Sequence, residues 1–225
     1  MNLPDIESIS WKPAYRVIPT RFPSVYLWDR VANAEEFDLL NELEAMTNPR
    51  RRDELGQISL VPEEEKLFGP GTGCIMAAFT HLNPNGSRFS DGTFGVFYAA
   101  EHEETAIEET KYHLGKFLLA TDEDPQHMQM RLLRVNVAGA VHNLMQWPDT
   151  SVFQPDNYKV SQALAIKLRA DKSNGVIYPS VRNKGMPCVA AFRTSILSDC
   201  YHEAHLEYHF DGKRMDYFTK LVKTF

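Results

Sequence analysis

Between Phe94 and Gly212 the chain lays down five short apolar segments: FGVFYAA (94–100), MRLLRVNVAG (130–139), GVIYPSVR (175–182), CVAAFR (188–193) and HLEYHFDG (205–212). Each is short, rich in aromatic or β-branched residues and bounded by turn formers, the pattern of a strand. Two helical patterns interrupt the series. One starts at TAIEE, where Thr105 and Glu108 form a capping-box pattern and Ala106, Glu109, His113 and Phe117 fall on one face. The other is YKVSQALAIKLR (158–169), stopped by Ser173, Asn174 and Gly175. Strands outnumber helices and do not alternate with them, which predicts an α+β fold rather than a doubly wound sheet.

The front of the chain adds a strand near Tyr15 to Ile18 and an extended segment punctuated by Pro13, Pro19 and Pro23. NAEEFDLLNELEAM then places Asn33 at an N-cap, with Phe37, Leu40, Leu43 and Met46 at helical spacing. Residues 47–73 turn polar and proline-rich and read as a long surface excursion, followed by the short apolar segment IMAAFTH (75–81). No repeat or linker divides the chain. The expectation is one domain over 1–225, with residues 1–73 as an N-terminal extension and long loop and 74–225 as the core.

With 24 Lys and Arg against 30 Asp and Glu, the net charge of -6 supplies no footprint for a nucleic-acid backbone. No apolar run reaches the roughly 18 residues of a membrane span, and the N-terminus lacks the basic and apolar regions of a secretory signal, so a cytoplasmic location is expected. Cys74, Cys188 and Cys200 lack CxxC spacing and read as reduced, packed thiols. Among the histidines there is no HExxH. If residues 205–211 form a strand, His205 and His209 share a face while His202 lies beyond its start, so no metal site is expected.

The stretch GSRFSDGTFGVFYAAEHEETAIEETKYH (86–113) delivers Arg88 from a turn, Tyr98 from a strand and Glu109 from a helix. A guanidinium can hold phosphate through paired donors, an aromatic face can stack a planar ring, and a carboxylate can stabilise a developing cation. Together they suit a dinucleotide whose glycosidic bond is to be broken. Taken singly, each residue has a structural reading: a solvated turn arginine, a core tyrosine, a glutamate complementing a helix dipole.

The same stretch, with GVIYPSVR downstream, resembles the RES domain family, named for its arginine, glutamate and serine. Similarity extends through YRVIPTRFP, TNPRRRDELG, GPGTGCIMAAFTH, SQALAIKLR and CVAAFR. GSRF stands where many members have a glycine-glycine-arginine-tryptophan phrase, so Phe89 replaces a tryptophan. The resemblance implies an ADP-ribosyltransferase-like fold, a split mixed or antiparallel sheet with flanking helices and NAD+ in the cleft. It places the family's arginine at Arg88, its tyrosine at Tyr98, its glutamate at Glu109 and its serine at Ser180. Arg16 resembles a further pocket arginine, with Arg21 close enough in sequence to compete for that role.

The activity so implied is that of a toxin consuming NAD+ as substrate, without a resident cofactor, by hydrolysis or with inorganic phosphate as co-substrate. Its partner would be an antitoxin carrying an Xre-like helix-turn-helix, which leaves DNA contact to that partner; homo-oligomerisation stays open. Two other readings remain: mono-ADP-ribosyl transfer to a protein, and a non-catalytic NAD-binding module.

Overall fold

A computed structural model describes residues 3–20, 33, 35–36 and 57–221. Within these, seven strands form one mixed sheet. In chain order they are β1 (Ile6–Pro19), β2 (Phe97–Ala100), β3 (Gln126–Asn143), β4 (Gly175–Pro179), β5 (Pro187–Ala191), β6 (Leu197–Phe210) and β7 (Met215–Leu221). Three α-helices accompany them: α1 (Gly73–Thr80), α2 (Glu103–Ala120) and α3 (Lys159–Ala170). The architecture is the α+β one expected.

The sheet divides into two halves. β2, β5 and β4 pair antiparallel through complete registers, and β1, β3, β6 and β7 form a second antiparallel group of longer strands. Two thin seams join them. β1 meets β2 at one pair, Tyr15 against Ala100, and β3 runs parallel to β4 for two, His142 against Val176 and Asn143 against Ile177. β1, β2, β5, β4 and β3 therefore close a ring, split where its strands diverge.

Both faces of this ring are apolar, which is why its strands read as near-continuous hydrophobic runs. Alternate residues sort to two cores. Phe97, Ala99, Val135, Val137, Ile177 and Val189 pack with Ile75, Met76 and Phe79 of α1. Ala100, Leu132, Val176, Tyr178 and Ala190 pack with Ala106, Ile107 and Leu114 of α2 and Leu164, Ala165 and Leu168 of α3.

Several local expectations change. β1 runs through Pro13, because the register shifts between Trp11 and Ala14 and the bulge removes the need for a proline N–H. β2 begins only at Phe97. Gly95 precedes it where a Cβ would lie 2.4 Å from Ala78 O and from Phe79 Cα, so the backbone there is pressed against α1 rather than laddered. IMAAFTH belongs mostly to that helix.

α2 starts before the capping-box pattern, with His102 at its N-cap and Glu103 and Glu104 in its first turn. Thr105 is fully buried and accepts a hydrogen bond from Asn183 Nδ2 at 2.9 Å. His202 lies inside β6, its ring 4.4 Å from that of His205.

The expected helix 33–46 falls largely outside the described residues, although the Glu36 N–H does donate to Asn33 Oδ1 at 2.9 Å, as an N-cap requires. Of the excursion 47–73, residues 57–72 form 3-10 turns and connections. They are held by a Thr194 hydroxyl bond to Glu65 O and an Arg193–Glu65 ion pair at 2.7 Å.

Candidate active site

A cavity of about 460 Å³ opens at the β1–β2 seam, a volume ordinary for a small-molecule site. Its wall includes Tyr15 to Val17 of β1, Gly86 to Arg88 of the turn before β2, Tyr98 to Ala100 of β2, Glu109 and His113 of α2, and Tyr158. The seam exists because the strands part just beyond Tyr15 and Ala100. Arg16 fills the fork. Its Nη1 donates to the Tyr98 carbonyl at 3.0 Å, and its guanidinium lies 4.5 Å from the Phe97 ring centroid. Burial lowers the Arg16 pKa from its ordinary value.

Arg88 is only 7% exposed. Its Nη1 donates to the carbonyls of Gln154 at 3.0 Å and Val152 at 3.4 Å, and its guanidinium lies 4.8 Å from the Tyr158 ring centroid. Among the described residues it pairs with no carboxylate, so a buried positive charge is presented to the cavity with carbonyls as its protein partners. The turn that carries it is fastened from α3: the Ser161 hydroxyl donates to Arg88 O, and Gln162 Nε2 donates to Ser87 O and Ser90 O. Phe89 is fully buried and meets the Tyr178 ring edge-on at 4.9 Å.

Tyr98 fastens the same turn from the other side. Its hydroxyl accepts the Phe89 N–H at 2.9 Å and shares a hydrogen bond with Ser87 Oγ at 2.8 Å. Burial pushes its pKa up to about 12. The ring forms cavity wall while the hydroxyl is committed to the loop, so Tyr98 shapes the seat of Arg88.

Glu109 projects from α2 into the cavity. Its Oε1 accepts the Ser180 hydroxyl at 2.6 Å. That serine, 3% exposed just beyond β4, itself accepts the N–H groups of Arg182 and Asn183 at 3.1 and 2.9 Å. With its oxygen so occupied, the Ser180 proton points at the carboxylate. Ser180 lies behind Glu109 rather than in the cavity wall, and it fixes one carboxylate oxygen while Oε2 remains for a ligand. Glu108, by contrast, turns to Lys111 at 3.1 Å.

His113 was grouped with Glu109 only as a member of the same helical face; it too lines the cavity, with Nε2 3.8 Å from Glu109 Oε2. Burial lowers its pKa, opposed by Glu109 and reinforced by Arg182, Arg88 and Lys116. Tyr158, Gln162 and Arg182 carried no sequence signal, because their roles arise from chain segments 70 or more residues away from Glu109 or Arg88, or across a strand connection. Arg182 stacks 3.3 Å from the Tyr112 ring centroid and donates to Pro155 O at 2.7 Å. Arg21 lies outside the described residues. Among the described residues no group of three or more His, Cys, Asp or Glu side chains is arranged to hold a metal ion, and no helix is long and apolar enough to cross a membrane.

The cavity thus assembles the arginine, tyrosine and glutamate from separate elements, with the serine one hydrogen bond behind. Residues 66–211 match the RES domain family model, well over half of the chain. The chain belongs to the RES domain family. An uncharacterized protein, y4oC, of Sinorhizobium fredii is 28% identical over 204 residues, covering 89% of this chain and 84% of the relative. Among solved structures, a chain of the M. tuberculosis MbcT–MbcA toxin–antitoxin complex is similar, with a TM-score of 0.45 and 12% identity over 96% of this chain and 87% of that one.

Proposed function

We propose that this RES domain protein cleaves NAD+ at the nicotinamide–ribose bond and acts as the toxin of a toxin–antitoxin pair inside the cell. The observation that carries the reading is the Glu109 carboxylate, anchored through one oxygen by Ser180 and turned with the other toward a cavity that also contains a buried Arg88 with no carboxylate partner among the described residues. Such a pairing suits a ligand with an anionic centre at one end and a developing cation at the other.

Nicotinamide leaves NAD+ as a neutral base, and positive charge grows on the ribose in an oxocarbenium-like transition state. A fixed carboxylate aimed at that position lowers the barrier because it is oriented before the charge appears. Ser180 keeps Glu109 from turning away. Arg88 holds the pyrophosphate with the donors its carbonyl partners leave over, the geometry for which a guanidinium is suited. Tyr98 keeps the Arg88 turn in place and supplies an apolar wall beside the ribose. Arg16 acts at the seam, where its guanidinium bridges from β1 to the Tyr98 carbonyl of β2.

A cognate antitoxin with an Xre-like helix-turn-helix would cover the cleft. The reaction class is tested by incubating the purified chain with NAD+ alone, with and without inorganic phosphate, and identifying the products. Nicotinamide released steadily, with free ADP-ribose or its 1″-phosphate, supports the reading. Label appearing on protein would replace it with ADP-ribosyl transfer, and intact NAD+ would leave a binding module.

A further inference from the structure

Resting on that reading, we infer that His113 is a second catalytic residue, the base that takes a proton from the water that captures the ribosyl group. The 3.8 Å between His113 Nε2 and Glu109 Oε2 is too long for a direct hydrogen bond. It is the separation at which one oxygen can stand about 2.8 Å from both groups. Glu109 Oε1 is held by Ser180, so only Oε2 faces both the histidine and the cavity.

His113 makes no direct hydrogen bond among the described residues; its ring meets the edge of Tyr112, 5.4 Å between centroids. A carboxylate committed to the sugar cation is poorly placed to accept the acceptor's proton as well. The imidazole one helical turn away is free to do so.

The charged and titratable groups facing the ring support this division of labour. Glu109, Tyr112 and Lys116 face it from α2, Arg182 from the connection after β4 and Arg88 from the turn before β2. Asp156 is occupied by Lys116 at 2.7 Å and lies 3.8 Å from Arg182. The ring is half exposed, and partial desolvation with three nearby cations, opposed by the single carboxylate, lowers its pKa from the ordinary value, the direction that favours a neutral, proton-accepting imidazole.

In the step itself, the water oxygen forms a bond to ribose C1″ as the electrons of the C1″–N bond leave with nicotinamide. The water proton passes to His113 Nε2 and then to solvent. The sum is NAD+ and water giving ADP-ribose, nicotinamide and one proton.

The test is nicotinamide release by the wild-type chain, His113→Gln, His113→Ala and Glu109→Gln as a function of pH. His113→Gln is expected to lower kcat about 100-fold with an unchanged KM for NAD+. It should also abolish the acid decline that the wild type shows below the ordinary histidine range of about 6.5. Azide, an anionic acceptor with no proton to lose, should restore release by His113→Ala and appear in the product. A His113→Gln variant that keeps the wild-type rate and pH profile, or a His113→Ala variant that azide does not rescue, overturns the assignment while leaving NAD+ cleavage standing. A wild-type chain that releases no nicotinamide overturns both.

Discussion

Ser180 illustrates how a residue can carry function without touching a ligand. With its oxygen taken by two backbone N–H groups and its proton given to Glu109, it acts as a brace. Ser180→Ala should lower kcat for nicotinamide release about 10- to 100-fold and leave KM nearly unchanged, since one hydrogen bond to a charged group contributes roughly 1.5–3 kcal/mol. A large rise in KM instead would mean that the hydroxyl contacts NAD+. Arg88→Ala should do the reverse, raising KM for NAD+ more than it lowers kcat; equal KM values would remove the pyrophosphate role. The types and order of Arg88, Tyr98, Glu109 and Ser180 were legible in the sequence, because each sits in a recognisable phrase. Their hydrogen bonds were not. That Tyr98 spends its hydroxyl on Phe89 and Ser87 follows from a turn folding back on a strand nine residues later, which no spacing rule reveals.

At the scale of elements, periodicity located the strands and helices after Glu103 but not their ends: α2 starts two residues before its capping-box pattern, β3 runs 126–143 rather than 130–139, and β6 starts at Leu197 rather than 205, while β4 and β5 overlap their predicted segments. The misreadings have local causes. β1 extends through Pro13 because a bulge absorbs the missing donor. FGVFYAA yields a strand of four residues because Gly95 must let α1 approach. That contact makes a prediction. Gly95→Ala places a methyl 2.4 Å from backbone atoms of Ala78 and Phe79, so neither side can yield as a flexible side chain would. The variant should be destabilised by about 2–4 kcal/mol, read as a lowered thermal midpoint; a midpoint equal to wild type would show that α1 does not press on the backbone before β2.

For the whole molecule, the closed ring with two thin seams was foreseen only as a split sheet. Which strands meet at each seam depends on pairings between residues far apart in sequence, such as β3 with β4, which alternation cannot specify. The ring buries titratable side chains on its α2–α3 face, and this ties stability to pH. Burial raises Tyr98 to about 12 and lifts Tyr178 and Tyr208 well above the ordinary tyrosine value of 10.0. Groups whose folded pKa is raised favour folding fully below the unfolded value and cease to as pH climbs toward the folded one. The thermal midpoint should therefore hold up to about pH 10 and fall progressively above it. A midpoint unchanged through pH 12 would contradict the burial of these phenols.

The measurement that bears most directly on the account is nicotinamide release from NAD+ by purified wild-type chain and Glu109→Gln, assayed side by side with matched thermal midpoints. The exchange preserves shape and the Ser180 contact while removing the negative charge. The account predicts steady release by the wild type and a rate lower by a factor of about 100 or more in the variant. A variant that cleaves NAD+ at the wild-type rate would contradict it.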